Sequence, residues 1–313
     1  KMVYVIIVVI LITLFFVWYF AKKTKIKKVK INTEITVIEG KSMMIMGFMI
    51  SLSGLISILV AYLLRIFISR TGNVADVGLY NAGFTIINTY VGMIFTAMAT
   101  DYFPRLSAVA HSNDLCKQNI NQQAEIAILI LAPILMIFLI FINWAVILLY
   151  SAKFLAVTGM IYWAALGMLF KAASWAVGFV LLAKGASKIF FWSELISNIY
   201  ILGFSILGYH YGNLSGLGLA FLFSYFIALI QAFVIAKVKY KFSFTMSFVK
   251  IFVIQFSLAL TSFAIVNLVN KPYTYLLGII LIGVSGWYSY VELENRIGLN
   301  EIIRDSINKI KNR

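Results

Sequence analysis

Nine apolar runs, each close to 20 residues or longer, take up most of this 313-residue chain. They lie at 2–21, 47–68, 77–100, 125–150, 156–183, 189–210, 214–236, 248–268 and 273–290. A helix rising 1.5 Å per residue needs about 20 such residues to cross roughly 30 Å of hydrocarbon. Inside lipid the backbone groups must bond within their own segment, so runs of this length predict helices. Composition agrees, with 62% of residues hydrophobic and only 12% charged, where a soluble domain has about 25% charged. The predicted fold is an all-α polytopic membrane protein with nine transmembrane helices.

The formal charge of +15 raises the question of nucleic acid, and the distribution of that charge answers it. Lysine and arginine fall in short loops between the runs, and basic loops resist translocation and stay cytoplasmic. With the loop after the first run placed inside, seven lysines gather there: Lys22, Lys23, Lys25, Lys27, Lys28, Lys30 and Lys41. The outside keeps only Lys1, Arg70, Lys153 and Lys271. The pattern therefore reads as topology, with a cytoplasmic C-terminus and no nucleic-acid partner. One cysteine, Cys116, makes no internal disulfide, and His111 and His210 alone make no metal set, so no cofactor is expected. No extramembrane stretch is long enough for a catalytic domain, and the chain is not expected to be an enzyme. An apolar run begins directly after Lys1, which reads as truncation at the N-terminus. The tail from 291 spaces Leu299, Ile302, Ile303, Ile307 and Ile310 helically, fitting either a helix on the inner membrane face or a solvated end.

Two basic residues, Arg65 and Lys171, fall inside the runs. Lys171 sits near the middle of the fifth run, roughly 18 Å of helix from its inner end. A lysine stem does not reach water over that length. An ammonium at such depth costs about 3 kcal/mol on the insertion scale unless a wet cavity or a partner receives it. Gly167, Lys171, Ser174 and Gly178 share one helical face, as a cavity wall would. The alternative is an ion pair with Glu194, which would lie about 10 Å of helix below. Arg65 ends a stripe of Ser51, Gly54, Ile58 and Ala61, and either faces a cavity or snorkels to the outer headgroups.

Polar residues recur at helical spacing in two further runs. The third carries Asn81, Thr85, Asn88, Gly92 and Thr96, and the sixth carries Glu194, Ser197, Asn198, Ile201 and Ser205. Amides rarely face lipid, so each stripe serves either a substrate path or helix-to-helix adhesion. Glu194 can bind a coupling proton or sodium ion, or simply reach water at the inner interface.

Around the second and third runs the sequence reads LLRIFISRTGNVADVGLYNAGFTIINTY, and the third run leaves through ATDYFPRLSAVA. With VGLYNAG at Val77–Gly83 and DYFPRLS at Asp101–Ser107, the chain resembles the O-antigen and polysaccharide flippases of the multidrug/oligosaccharidyl-lipid/polysaccharide exporter superfamily. The resemblance implies a MATE-like transporter of two six-helix lobes in the bacterial inner membrane. Residues 1–21 would be the last helix of a truncated first lobe, and 22–46 a basic cytoplasmic loop between lobes. Residues 47–236 would then be the second lobe, 248–290 two additional helices, and 291–313 the cytoplasmic tail. Relatives often carry an acidic residue before the arginine of the second run, where Leu64 stands here.

The implied activity is flipping of an undecaprenyl-pyrophosphate-linked oligosaccharide, such as an O-antigen (lipopolysaccharide) or capsule repeat unit. It would pass from inner to outer leaflet by alternating access. Lys171 and Arg65 would attract the pyrophosphate, and Asn81, Asn88 and Asn198 would bond sugar hydroxyls. Asp101 and Arg105, one turn apart, would gate the inner mouth, although helix termination at Pro104 explains that motif equally. Glu194 would couple transport to a proton or sodium ion. Expected partners are the lipid-linked oligosaccharide, membrane lipids, and the polymerase and glycosyltransferases of glycan assembly. Competing readings are a multidrug exporter of organic cations, a polysaccharide polymerase or ligase, and a scaffold subunit.

Overall fold

Two helices with successive positions fully buried set the core. In a computed structural model describing residues 2–23 and 33–298, these are α5 (Asn113–Leu149) and α6 (Thr158–Ala183). Successive positions Ala127, Ile128 and Leu129 of α5, and Ala172 and Ala173 of α6, are fully buried. In chain order they are preceded by α1 (Met2–Lys23), α2 (Thr33–Thr71), α3 (Val74–Thr85), a π-helical segment Ile86–Val91, and α4 (Gly92–Ala108). After α5 come a 3-10 turn (Ala152–Val157), α6, α7 (Ser187–Tyr240), α8 (Met246–Leu268) and α9 (Tyr273–Ile297). The chain divides into two units, Lys1–Met44 and Ile45–Arg313, and both core helices belong to the second.

Among the described residues, seven helical stretches are long and apolar enough to cross a membrane, and α1 adds the shorter apolar segment Ile7–Phe20. The longest, α7, is two rods. Asn213 leaves the helical region at φ 48°, ψ −136°, and the chain reverses there so that Gly208 and Gly216 meet backbone to backbone. The separate runs expected at 189–210 and 214–236 are these two rods. Helix α2 begins at Thr33 and so takes in much of the stretch expected as a loop. The expected tail helix from Leu299 onward, and the lysines from Lys25 to Lys30, lie outside the described residues.

Pro104 does not end α4, correcting that part of the expectation; the helix continues to Ala108. Proline removes one backbone donor from the ladder, and packing holds the turn regardless. Tyr102 is fully buried and donates its hydroxyl to the Ala176 carbonyl at 2.6 Å, and Leu106 is fully buried beside it.

A polar clamp fixes α8 and α9 to α5. Asn121 accepts from the Thr245 amide at 2.8 Å, and Thr245 caps α8 by accepting from Phe248 at 3.2 Å. Arg296 of α9 pairs with Glu125 at 2.8 Å, bonds Ser247 at 2.7 Å and also contacts Glu292. Arg296→Ala leaves a buried carboxylate without its cation, which costs about 3–5 kcal/mol. The expected result is a lower unfolding midpoint in detergent, partly recovered by Arg296→Lys. An unchanged midpoint would show that the clamp does not hold these helices.

Candidate functional site

The polar stripes of the third and sixth runs face one another across a cavity of about 500 Å³. Arg65 and Ser57 line it from α2, Asn81, Thr85 and Asn88 from α3 and the π segment, and Glu194, Asn198 and Ser205 from the 187–212 rod. Thr96 and Gly92 line a separate shallow depression that also contains Asn88. Asn88 sits within the π segment, whose wider turn carries an extra residue. Such bulges recur at functional sites because they re-aim a side chain.

Each intramembrane cation is held by an asparagine oxygen. Arg65 Nε donates to Asn81 Oδ1 at 2.9 Å, and Lys171 Nζ donates to Asn88 Oδ1 at 3.2 Å. The Lys171 ammonium also lies 5.0 Å from the Tyr225 ring centre and 5.7 Å from that of Phe221. Amide oxygens and rings orient a cation without neutralising it. Lys171 makes no ion pair among the described residues, so the alternative pairing with Glu194 is not formed. The Glu194 carboxylate likewise has no hydrogen-bond or ion-pair partner among them. It lines both this cavity and an adjoining one that Lys171 also lines.

Asn198 is buried and donates to Ser57 Oγ at 3.1 Å and to the Glu194 carbonyl at 2.9 Å, joining α2 to the 187–212 rod. Asp101 and Arg105 approach to 3.7 Å, and Arg105 also donates to Gln123 at 2.9 Å. Neither lines the cavities holding Lys171 and Arg65, and the Asp101 side chain is 81% exposed.

Two expected faces are corrected. On α2 Ser57, Ala61 and Leu64 line the cavity and Ser53 is buried, while Ile58 is 68% exposed and, like the exposed Ser51 and Gly54, does not line it. Gly167 is a contact point, not cavity wall: a Cβ there would fall 2.9 Å from the Leu222 Cα. Ser174 and Gly178 do line a cavity with Lys171.

Gln231 and Tyr225, on the 214–240 rod, line these cavities and are not singled out by the sequence. Gln231 donates to the Ser193 carbonyl at 2.9 Å and to Ser193 Oγ at 2.8 Å, tying the two rods of α7 together. A signal for it exists, since it is the one side-chain amide in an otherwise apolar run.

A family model described as "Polysaccharide biosynthesis protein" matches residues 2–159, half of the chain. The matched half carries Arg65, Asn81, Asn88, Asp101 and Arg105, and Lys171, Glu194 and Asn198 lie beyond it. No curated protein and no solved structure matches.

Proposed function

This chain belongs to the polysaccharide biosynthesis protein family, and from that premise we propose that it carries a lipid-linked oligosaccharide from the inner to the outer leaflet. It is a multi-pass membrane protein, in this proposal a carrier and not an enzyme. The observation that carries the proposal is the pair of cations, Lys171 and Arg65, each held at a cavity wall by an asparagine oxygen. A pyrophosphate and its sugars do not cross hydrocarbon bare, because stripping their water is too costly. A cavity with unneutralised cations and amides replaces that water, with charge-assisted bonds to the phosphates. Asn81 and Asn88 then offer their side-chain N–H groups, and Asn198 its Oδ1, to sugar hydroxyls. The substrate class is undecaprenyl-pyrophosphate-linked repeat units of O-antigen or capsule type, moved by alternating access in the bacterial inner membrane.

An organic-cation exporter fits poorly, because two cations outweigh one carboxylate and leave the lining net positive. A polymerase or ligase also fits poorly, since the connections between described helices from α2 to α9 are all short. Asp101 and Arg105 act in this reading as the inner gate. Their pairing is solvent-exposed, hence worth at most about 1 kcal/mol and readily broken on opening.

The test is translocation of a pyrophosphate-linked oligosaccharide by the full protein in liposomes, read by accessibility of the sugar to an added lectin. Protein-dependent translocation is expected, and none would sink the proposal. In the same liposomes Glu194→Gln is expected to remove the response to an imposed proton or sodium gradient while substrate binding persists. An undiminished response would take Glu194 out of coupling.

A further inference from the structure

Beyond Lys171 the cavity system changes character. A second cavity, of about 370 Å³, lies between α6 and the two rods of α7 and extends along α6 from Lys171 to Leu182. It shares Glu194, Ser197, Ile201 and Tyr225 with the first, so the two adjoin at these side chains, and the Lys171 ammonium lies 5.0 Å from the Tyr225 ring centre. Past the junction the walls are apolar: Val177, Phe179, Leu182 and Phe190. The further polar side chains there are Ser174, Ser193 and Gln231: Ser174 donates to the Lys171 carbonyl, and the Gln231 amide is closed on Ser193. Phe179, Leu182 and Phe190 are each partly exposed, which leaves the crevice open to its surroundings.

We infer that this crevice holds the head-proximal part of the substrate's lipid chain while the anionic head sits at Lys171; the inference rests on the flippase reading above. Sugars are disfavoured past the junction, because the apolar side chains there outnumber the polar ones and the polar ones bond the protein. A lipid chain gains little by leaving one apolar medium for another. The contribution of the crevice is therefore position: it fixes where the chain leaves the head and so aims the head at the cations. The charge beside the junction selects the occupant. A zwitterionic phospholipid would bring its own cation against Lys171, whereas a pyrophosphate brings none. The volume is that of a compact ligand site, enough for the first units of a chain and not its whole length.

Gly178 supplies the test. It lines the crevice, and a Cβ added there meets nothing within 4 Å. Gly178→Leu therefore fills the space without moving the backbone, and Gly178→Ala is its control. Binding is measured on the full protein in phosphatidylcholine nanodiscs with two probes that share one head, a polyprenyl pyrophosphate and methyl pyrophosphate. Gly178→Leu is expected to weaken the polyprenyl probe about tenfold and leave methyl pyrophosphate unchanged, with Gly178→Ala behaving as wild type. Equal loss for both probes, or loss for neither, overturns the crevice and leaves the head site standing. If methyl pyrophosphate binds wild type and Lys171→Gln alike, the head site fails, and the crevice assignment falls with it.

Discussion

Lys171→Ala should stop export of the surface glycan while leaving the protein in the membrane at its normal level. The alanine removes a cation whose neighbours, Asn88, Tyr225 and Phe221, are neutral. No buried carboxylate is orphaned by the change, so stability has little reason to fall. What is lost is a charge-assisted bond to the substrate head, about 1.5–3 kcal/mol, or roughly one to two orders of magnitude in flux. Surface glycan staining alongside quantification of the membrane protein reads both halves of the expectation. Lys171→Arg keeps the charge but exchanges a compact ammonium for a planar fork, and should retain part of the export. Unchanged export in Lys171→Ala would remove this residue from the substrate path.

Gly216→Leu is expected to prevent the protein from accumulating. At Gly216 a Cβ would collide with the carbonyl of Gly208 across the α7 reversal, and at Gly218 with the carbonyl of Met160 on α6. Both obstacles are backbone, which cannot swing aside as a side chain would. Close approach of helices at small residues is what holds membrane rods together where no hydrophobic drive exists between them. Forcing them apart would also displace the 187–212 rod that carries Glu194 and Asn198 to the cavity. The expected destabilisation exceeds about 4 kcal/mol, the range reserved for disrupted packing. Gly212→Ala, where a Cβ meets nothing within 4 Å, is the control and should accumulate normally. Normal, monodisperse Gly216→Leu protein would show that the two rods do not pack as described.

These features differ in how far the sequence discloses them. Membrane rods are written in local composition, because a run of apolar residues reports its own solvent. A lysine within such a run likewise announces a cavity or partner, and the periodic amides of the third and sixth runs point to one face. The phase of α2 is not legible in the same way, because its small residues occupy more than one face and spacing alone does not choose between Ser53–Ser57 and Ser51–Gly54. The π segment leaves no trace in the pattern, since one extra residue in a turn shifts the phase only of the residues after it. The Glu125–Arg296 clamp and the Gln231–Ser193 tie join residues far apart in sequence. Only packing brings those partners together, and no local pattern encodes it.

Flipping requires that the face bearing Asn81, Thr85 and Asn88 meet water and an anionic lipid-linked head in the depth of the membrane. Thr85 lines the cavity and is exposed to it, and Cys116 is the chain's single cysteine. In a Cys116→Ser background, Thr85→Cys should react with a membrane-impermeant thiol reagent, and a pyrophosphate-linked oligosaccharide should slow that reaction. Reaction only with lipid-soluble reagents, unaffected by the oligosaccharide, would contradict the account.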